Sequence, residues 1–216
     1  MFKLSRPLHL LLAALTYALG AGIADYLGVS FVTGSFWLGL IVVLLVQLSM
    51  SLLPEIFRLD VEPPRENENR AEREKLRNNI LYVSVASLAF VVLILYSLFT
   101  VGQLPLPSIF FVSLSLGIVV LHSIPPFRLS NRGFGEILLA IQLAYIFPSI
   151  AYVLQAGDVH RFLALTVPLT MLAFAYFVVT NFVSFSQDQK YDRITFLTRI
   201  GWERAVPLHH LFVLTA

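Results

Sequence analysis

The chain has 216 residues, of which 57% are hydrophobic and only 13% are charged. Soluble domains carry about a quarter charged residues, so this composition excludes an ordinary soluble domain and points to lipid as the main solvent. A net charge of +2 gives no reason to expect a nucleic-acid partner, and the absence of cysteine excludes disulfide frameworks and thiolate metal sites.

The opening "MFKLSRP" has the basic character of a signal-peptide start. The apolar run behind it is long, however, and no small-residue cleavage site follows before Asp25, so a retained first membrane helix is expected. Six apolar segments then follow one another: Leu8–Ala24, Phe36–Leu53, Ile80–Phe99, Ile109–Ile124, Ile137–Leu154 and Phe162–Thr180. Most approach the roughly 20 residues that a helix needs to cross a bilayer core. A seventh apolar run, Leu208–Ala216, is too short to span. The expected fold is therefore all-α: a polytopic transmembrane helical bundle with six complete spans and the start of a seventh. It forms one membrane-embedded domain over residues 1–216, expected to be incomplete at the C-terminus.

Basic residues set the expected topology. All of the 15 except Arg161 fall before the first segment, between the second and third, between the fourth and fifth, or after the sixth. Cytoplasmic loops collect Lys and Arg, so these four regions, the N-terminus among them, are expected in the cytoplasm of a cell-membrane protein. The opposite loops, Asp25–Ser35, Thr100–Ser108 and Gln155–Arg161, are short. Chemistry is therefore expected on the cytoplasmic face.

The sixth segment ends in "NFVSFSQDQKYD", with Asn181, Ser184, Asp188 and Asp192 three or four residues apart. On a helix this spacing puts all four on one face. Asp188 and Asp192, one turn apart, suit a Mg2+ ion, which prefers oxygen ligands and bridges carboxylates to phosphates. The plainer reading of the pair is a solvated helix end. Two other stretches stand out: "HSIPPFRLSNRGFGE" (His122–Glu136) and "SRPLHLLLAALTYALGAGIA" (Ser5–Ala24).

In order and position, these three stretches resemble the UbiA superfamily of intramembrane aromatic prenyltransferases. The first resembles that family's second aspartate-rich motif with the Thr-Leu-x-x-Arg-x-Gly that follows it. The second resembles the loop after the fourth helix, with Pro-Pro and Arg-Gly-x-Gly-Glu. The third resembles the opening Arg-Pro helix. The resemblance implies transfer of a prenyl group from a polyprenyl diphosphate to an aromatic, quinone-precursor acceptor in the membrane, through Mg2+-assisted diphosphate ionisation. It implies Asp188 and Asp192 as metal ligands, and Asn181, Ser184, Arg128 and Arg132 as diphosphate-binding residues. Arg128 and Arg132 are equally explained as topology anchors. Glu136 is read as a favourable charge at a helix start, and His122, where the family carries an aromatic ring, as structural. Gly20 and Gly22 read as close helix packing.

The first aspartate-rich motif departs from the family pattern. In "LPEIFRLDVEPPRENE", Pro54 stands for the family Asn and Arg58 for an Asp, leaving Asp60 and Glu62 as a weak remnant of a first metal site. Pro63 and Pro64 break any helix there. These changes keep open a second expectation: a non-catalytic homologue that binds an isoprenoid or a partner protein.

Overall fold

The computed structural model describes residues 5–57, 70–191 and 193–216, without the side chains of 70–72 and 162. Asp60, Glu62 and Asp192 lie outside the described residues. Six helices are long and apolar enough to cross a membrane. They are α1 (Pro7–Tyr26), α2 (Thr33–Ile56), α3 (Arg70–Thr100), α4 (Leu106–Ser123), α5 (Gly135–Ala156) and α6 (Thr166–Thr180), the last with a 3-10 turn at each end. Three short helices follow: α7 (Phe185–Lys190), α8 (Phe196–Ile200) and α9 (Trp202–Thr215). Among the described residues there is no strand, and the spans are helices, the form in which backbone groups pair within the segment as a lipid environment demands. The protein is a multi-pass helical membrane bundle.

Sequence chemistry sets the helix ends. Pro7 opens α1, where a missing N–H costs nothing and its fixed φ suits the first turn. Pro105 and Pro107 flank the start of α4 in the same way. Within α5 a π turn covers Gln142–Ile146, directly before the Phe147–Ala156 segment that contains Pro148. Proline lacks an N–H, which leaves the helical ladder one bond short, and the wider π turn absorbs the fault.

Small residues decide the packing. α5 is the most enclosed of the six spans and α3 the least. α1 lies against α2 and α5, and α2 also touches α3 and α4. A Cβ on Gly20 would stand 2.0 Å from the Pro148 carbonyl oxygen, so α1 and α5 meet backbone to backbone. Gly22 meets nothing within 4 Å, so only one of the two glycines makes the packing that their sequence context suggests. A Cβ on Gly39 would stand 2.2 Å from the Tyr17 hydroxyl, which donates to the Phe36 carbonyl at 3.0 Å. At the end of the bundle formed by the α1–α2 loop, Gln155 pairs with the Val32 backbone. The Val32 N–H donates to Oε1 at 2.8 Å, and Nε2 donates to the Val32 carbonyl at 3.3 Å.

The seventh apolar run forms the end of α9. The helix contains Pro207 and lies along α6, with the Phe174 and Phe212 rings 5.1 Å apart.

Candidate functional site

A cavity of about 320 Å3 sits at one end of the bundle. Its wall takes residues from the start of α1, the end of α2, the end of α4, the start of α5 and the end of α6. Consecutive spans therefore run in opposite directions, and one face gathers the ends that the polar loops connect.

The carboxylate side is built by the segment that leaves α6. A continuous helix through Asp192 was expected there. Instead α6 stops at Thr180, a 3-10 turn covers Asn181–Val183, and α7 restarts at Phe185. Polar side chains that bond near their own backbone compete with helix hydrogen bonds, and the Thr180 hydroxyl, donating to the Phe177 carbonyl at 2.9 Å, and that of Ser184 do so at this break. The Ser184 hydroxyl lies 3.3 Å from the Asn181 carbonyl and 2.7 Å from Asp188 Oδ2. The Asn181 amide turns away to donate to Glu136 Oε1. The break keeps Asn181, Ser184 and Asp188 on one wall all the same. Asp188 is 5% exposed, which is deep for a carboxylate that could have been a solvated helix end. Arg193 Nη1 stands 3.9 Å from its Oδ1.

Glu136, read from the sequence as a helix-start charge, is part of this wall. It is 8% exposed, and besides the Asn181 amide it accepts the Phe196 N–H at 3.3 Å on each oxygen. The start of α5 is thereby joined to the turn behind Asp188. Arg199 makes a second tie between the same segments. Its guanidinium lies 4.4 Å from the centre of the Phe134 ring, and Nη1 donates to the Arg132 carbonyl at 3.0 Å. Gly133 has φ of +78° and leaves room for Arg199 and for the Thr195 carbonyl, so the "RGFGE" and "TFLTRIG" stretches are two halves of one docked unit. Thr195 and Thr198 close a capping box at the start of α8.

Arg128 and Arg132 do not line the cavity. Arg132 Nη2 donates to the Pro126 carbonyl at 2.9 Å, and the cationic side chains on the wall are those of Arg6 and Arg193. Arg6 and Arg128 are also the two non-glycine residues with left-handed backbone among the described residues, φ 46° and 36°. Such conformations persist only where the surroundings hold them. His9 and His122 also line the cavity, with Pro54, Leu139 and Phe177 as its apolar part. His9 escaped notice in the sequence. A signal was available, since it shares the i, i+4, i+8 face of α1 with buried Ala13 and Tyr17.

Among the described residues, no group of three or more His, Asp or Glu side chains converges closely enough to hold a metal alone. The oxygens of Asp188, Ser184 and Asn181 nevertheless suit Mg2+, which binds through one or two carboxylates and completes its shell with substrate phosphates and water.

A helical membrane bundle with a polar cavity at one end is the class of protein that fold and site define. No protein-family model matches the chain, and no curated protein does. Solved structures do. A UbiA homologue from Archaeoglobus fulgidus bound to DMAPP and Mg2+ superposes with a TM-score of 0.70 at 18% identity, over 98% of this chain and 74% of that one. A UbiA homologue from the same organism bound to GPP and Mg2+ gives 0.72 at 16%, over 97% and 72%. The particular fold of this chain is that of the UbiA homologues.

Proposed function

We propose that the chain is a UbiA-type prenyltransferase. It binds a polyprenyl diphosphate and Mg2+ at the polar cavity and transfers the prenyl group to an aromatic acceptor, a quinone precursor, within the membrane. The observation that carries this reading is the buried Asp188, bonded to Ser184 in a cavity that Asn181 and Glu136 share, at the end of a bundle with the fold of homologues solved with DMAPP, GPP and Mg2+. The Lys- and Arg-rich loops at this end support a cytoplasmic orientation for this face, in a cell membrane.

Asp188, with Asp192, would hold the metal, which when bound would neutralise the charge of the diphosphate. Ser184 fixes the rotamer of Asp188 through its 2.7 Å hydrogen bond. Asn181 is oriented by Glu136. Arg6 and Arg193 place positive charge beside the leaving group, the role sequence reasoning gave to Arg128 and Arg132. The apolar helices keep water from the allylic cation, and so protect it from hydrolysis.

The test uses the full chain in lipid with geranyl diphosphate, following diphosphate release and lipid-soluble product. Release should require Mg2+, stop with EDTA, and fall about a hundredfold in Asp188→Ala. Equal release from the Asp188→Ala variant would overturn the proposal. One observation favours a second reading, a non-catalytic isoprenoid binder. Pro54, which offers no side-chain oxygen, stands on the cavity wall where the resemblance expects an amide. Under that reading geranyl diphosphate binds with Mg2+ but is not turned over with any acceptor.

A further inference from the structure

Three spans carry a polar side chain directly beneath the cavity. Gln47 in α2, Ser115 in α4 and Gln142 in α5 are all buried, the two glutamines completely. Each lies seven residues deeper than a residue that lines the cavity on its own helix: Pro54 for Gln47, His122 for Ser115 and Gly135 for Gln142. Seven residues make two turns, so each pair shares a helix face and the deeper residue stands about 10 Å below the wall. Gln47 and Gln142 are each fourteen residues from the far end of their helix, about 21 Å by helical rise, and so share one level. Ser84 in α3, sixteen residues from Thr100, falls at about 24 Å by the same count, and α3 packs along α2.

The hydrogen bonds of this layer do not close on themselves. Gln142 Nε2 donates to Ser115 Oγ at 2.6 Å, which ties α5 to α4. Gln142 Oε1, Gln47 Oε1, Gln47 Nε2 and Ser84 Oγ are buried without a partner among the described residues. Such atoms are costly anywhere, and more so in a bundle whose surroundings are lipid. Gln47 is 0% exposed, so neither a lipid headgroup nor a second chain can reach it. The unmet groups are two carbonyl oxygens, an amide donor and a hydroxyl, all neutral. They match a small uncharged ligand that both gives and accepts hydrogen bonds. Water has that valence, and a buried water typically makes about three bonds to groups of this kind. Gln142 is also the first residue of the π turn in α5, and such turns gather at functional positions.

We propose that Gln47, Ser84 and Gln142 form a water-binding site inside the bundle, two turns beneath the cavity, with Ser115 holding the Gln142 amide in place for it. The site joins α2, α3 and α5 through water and α4 through Ser115. It gives α5, the most enclosed span, a polar anchor below the cavity. It stands apart from the prenyl-transfer reading and does not need it.

Glutamine labelled with nitrogen-15 in the full chain, held in lipid nanodiscs, reports on the site without any added ligand. The side-chain amide signals of Gln47 and Gln142 should show cross-relaxation with long-lived bound water. Gln47→Met and Gln142→Met assign those signals, and Gln47→Asn serves if the methionine variant does not fold. No water contact at the Gln47 amide of the parent chain would overturn the site. Stability supplies a second readout, from unfolding in mixed micelles. An apolar side chain of similar length in place of a dry, unpaired amide stabilises a fold, whereas removing one wall of a water site strands the other groups. Gln47→Met should therefore lower the folded-to-unfolded ratio about tenfold, the worth of one lost hydrogen bond. A Gln47→Met variant as stable as the parent chain, or more so, would mean a dry layer and would overturn the site. Amide signals that move with Na+ and not with K+ at equal ionic strength would mean a cation in place of water, and would overturn it too.

Discussion

Glu136 accepts a hydrogen bond from the Asn181 amide, across 45 positions of sequence and between the start of one span and the end of the next. With its bonds to the Phe196 N–H, it makes one carboxylate the joint between the loop before α5 and the turn behind Asp188. Removing it strands two donors, at least one of them on the cavity wall.

Glu136→Ala should therefore lower stability by about 2–4 kcal/mol, the sum of two donors left without acceptors. Glu136→Gln keeps an acceptor oxygen and should cost less than half as much. Unfolding in mixed micelles would measure both. If the alanine and glutamine variants lose the same amount, the carboxylate's bonds are not what holds the joint.

Gly20→Leu should separate α1 from α5, because even a Cβ would meet the Pro148 backbone at 2.0 Å and backbone cannot turn aside as a side chain does. A loss of about 3 kcal/mol or more is expected, at the upper end of overpacking costs. Gly22→Leu, with nothing within 4 Å of the added Cβ, is the control and should fold normally. Yield and melting of the two variants, side by side, decide the matter.

Arg199→Lys keeps the charge but loses the planar group over Phe134 and the donor geometry toward the Arg132 carbonyl. About 1 kcal/mol should be lost locally. The expected sign is faster amide hydrogen exchange over residues 129–134, with the spans unchanged. Exchange identical to that of the parent chain would show that the stack contributes nothing.

Ser184→Ala should weaken donor binding about five- to tenfold, because Asp188 loses the hydroxyl that fixes its rotamer while its own oxygens remain. Ser184→Thr keeps the hydroxyl and should restore most of the affinity. Titration with geranyl diphosphate in Mg2+ measures both. A threonine variant as weak as alanine would show that the site needs space at this position and not the bond.

The spans were legible because length and apolar run are properties of each segment alone. Each of the six apolar segments coincides with one of the six helices. The nearness of Asn181, Ser184 and Asp188 was legible too, since local spacing survives the break in the helix. Other parts of the site depended on contacts that no local pattern encodes. Glu136 has a sufficient explanation as a helix-start charge, and only its partners at 181 and 196 reveal its place. Arg128 and Arg132 were given to the site because basic residues in that loop invite it, but the topology rule accounts for them without it. The cations that reach the wall, Arg6 and Arg193, come from before the first span and after the sixth.

That last feature bears on how the protein is made. Arg6 and Thr195 line the same cavity, so every residue from 6 to 195 must leave the ribosome before the cavity has all its walls. Until α6 emerges, His9 has no Phe177 to rest on and α1 must wait in the bilayer with its imidazole against lipid or against the insertion machinery. Premature termination anywhere before the sixth span yields helices that insert but no closed cavity, and quality control would meet a polar face with nothing to cover it.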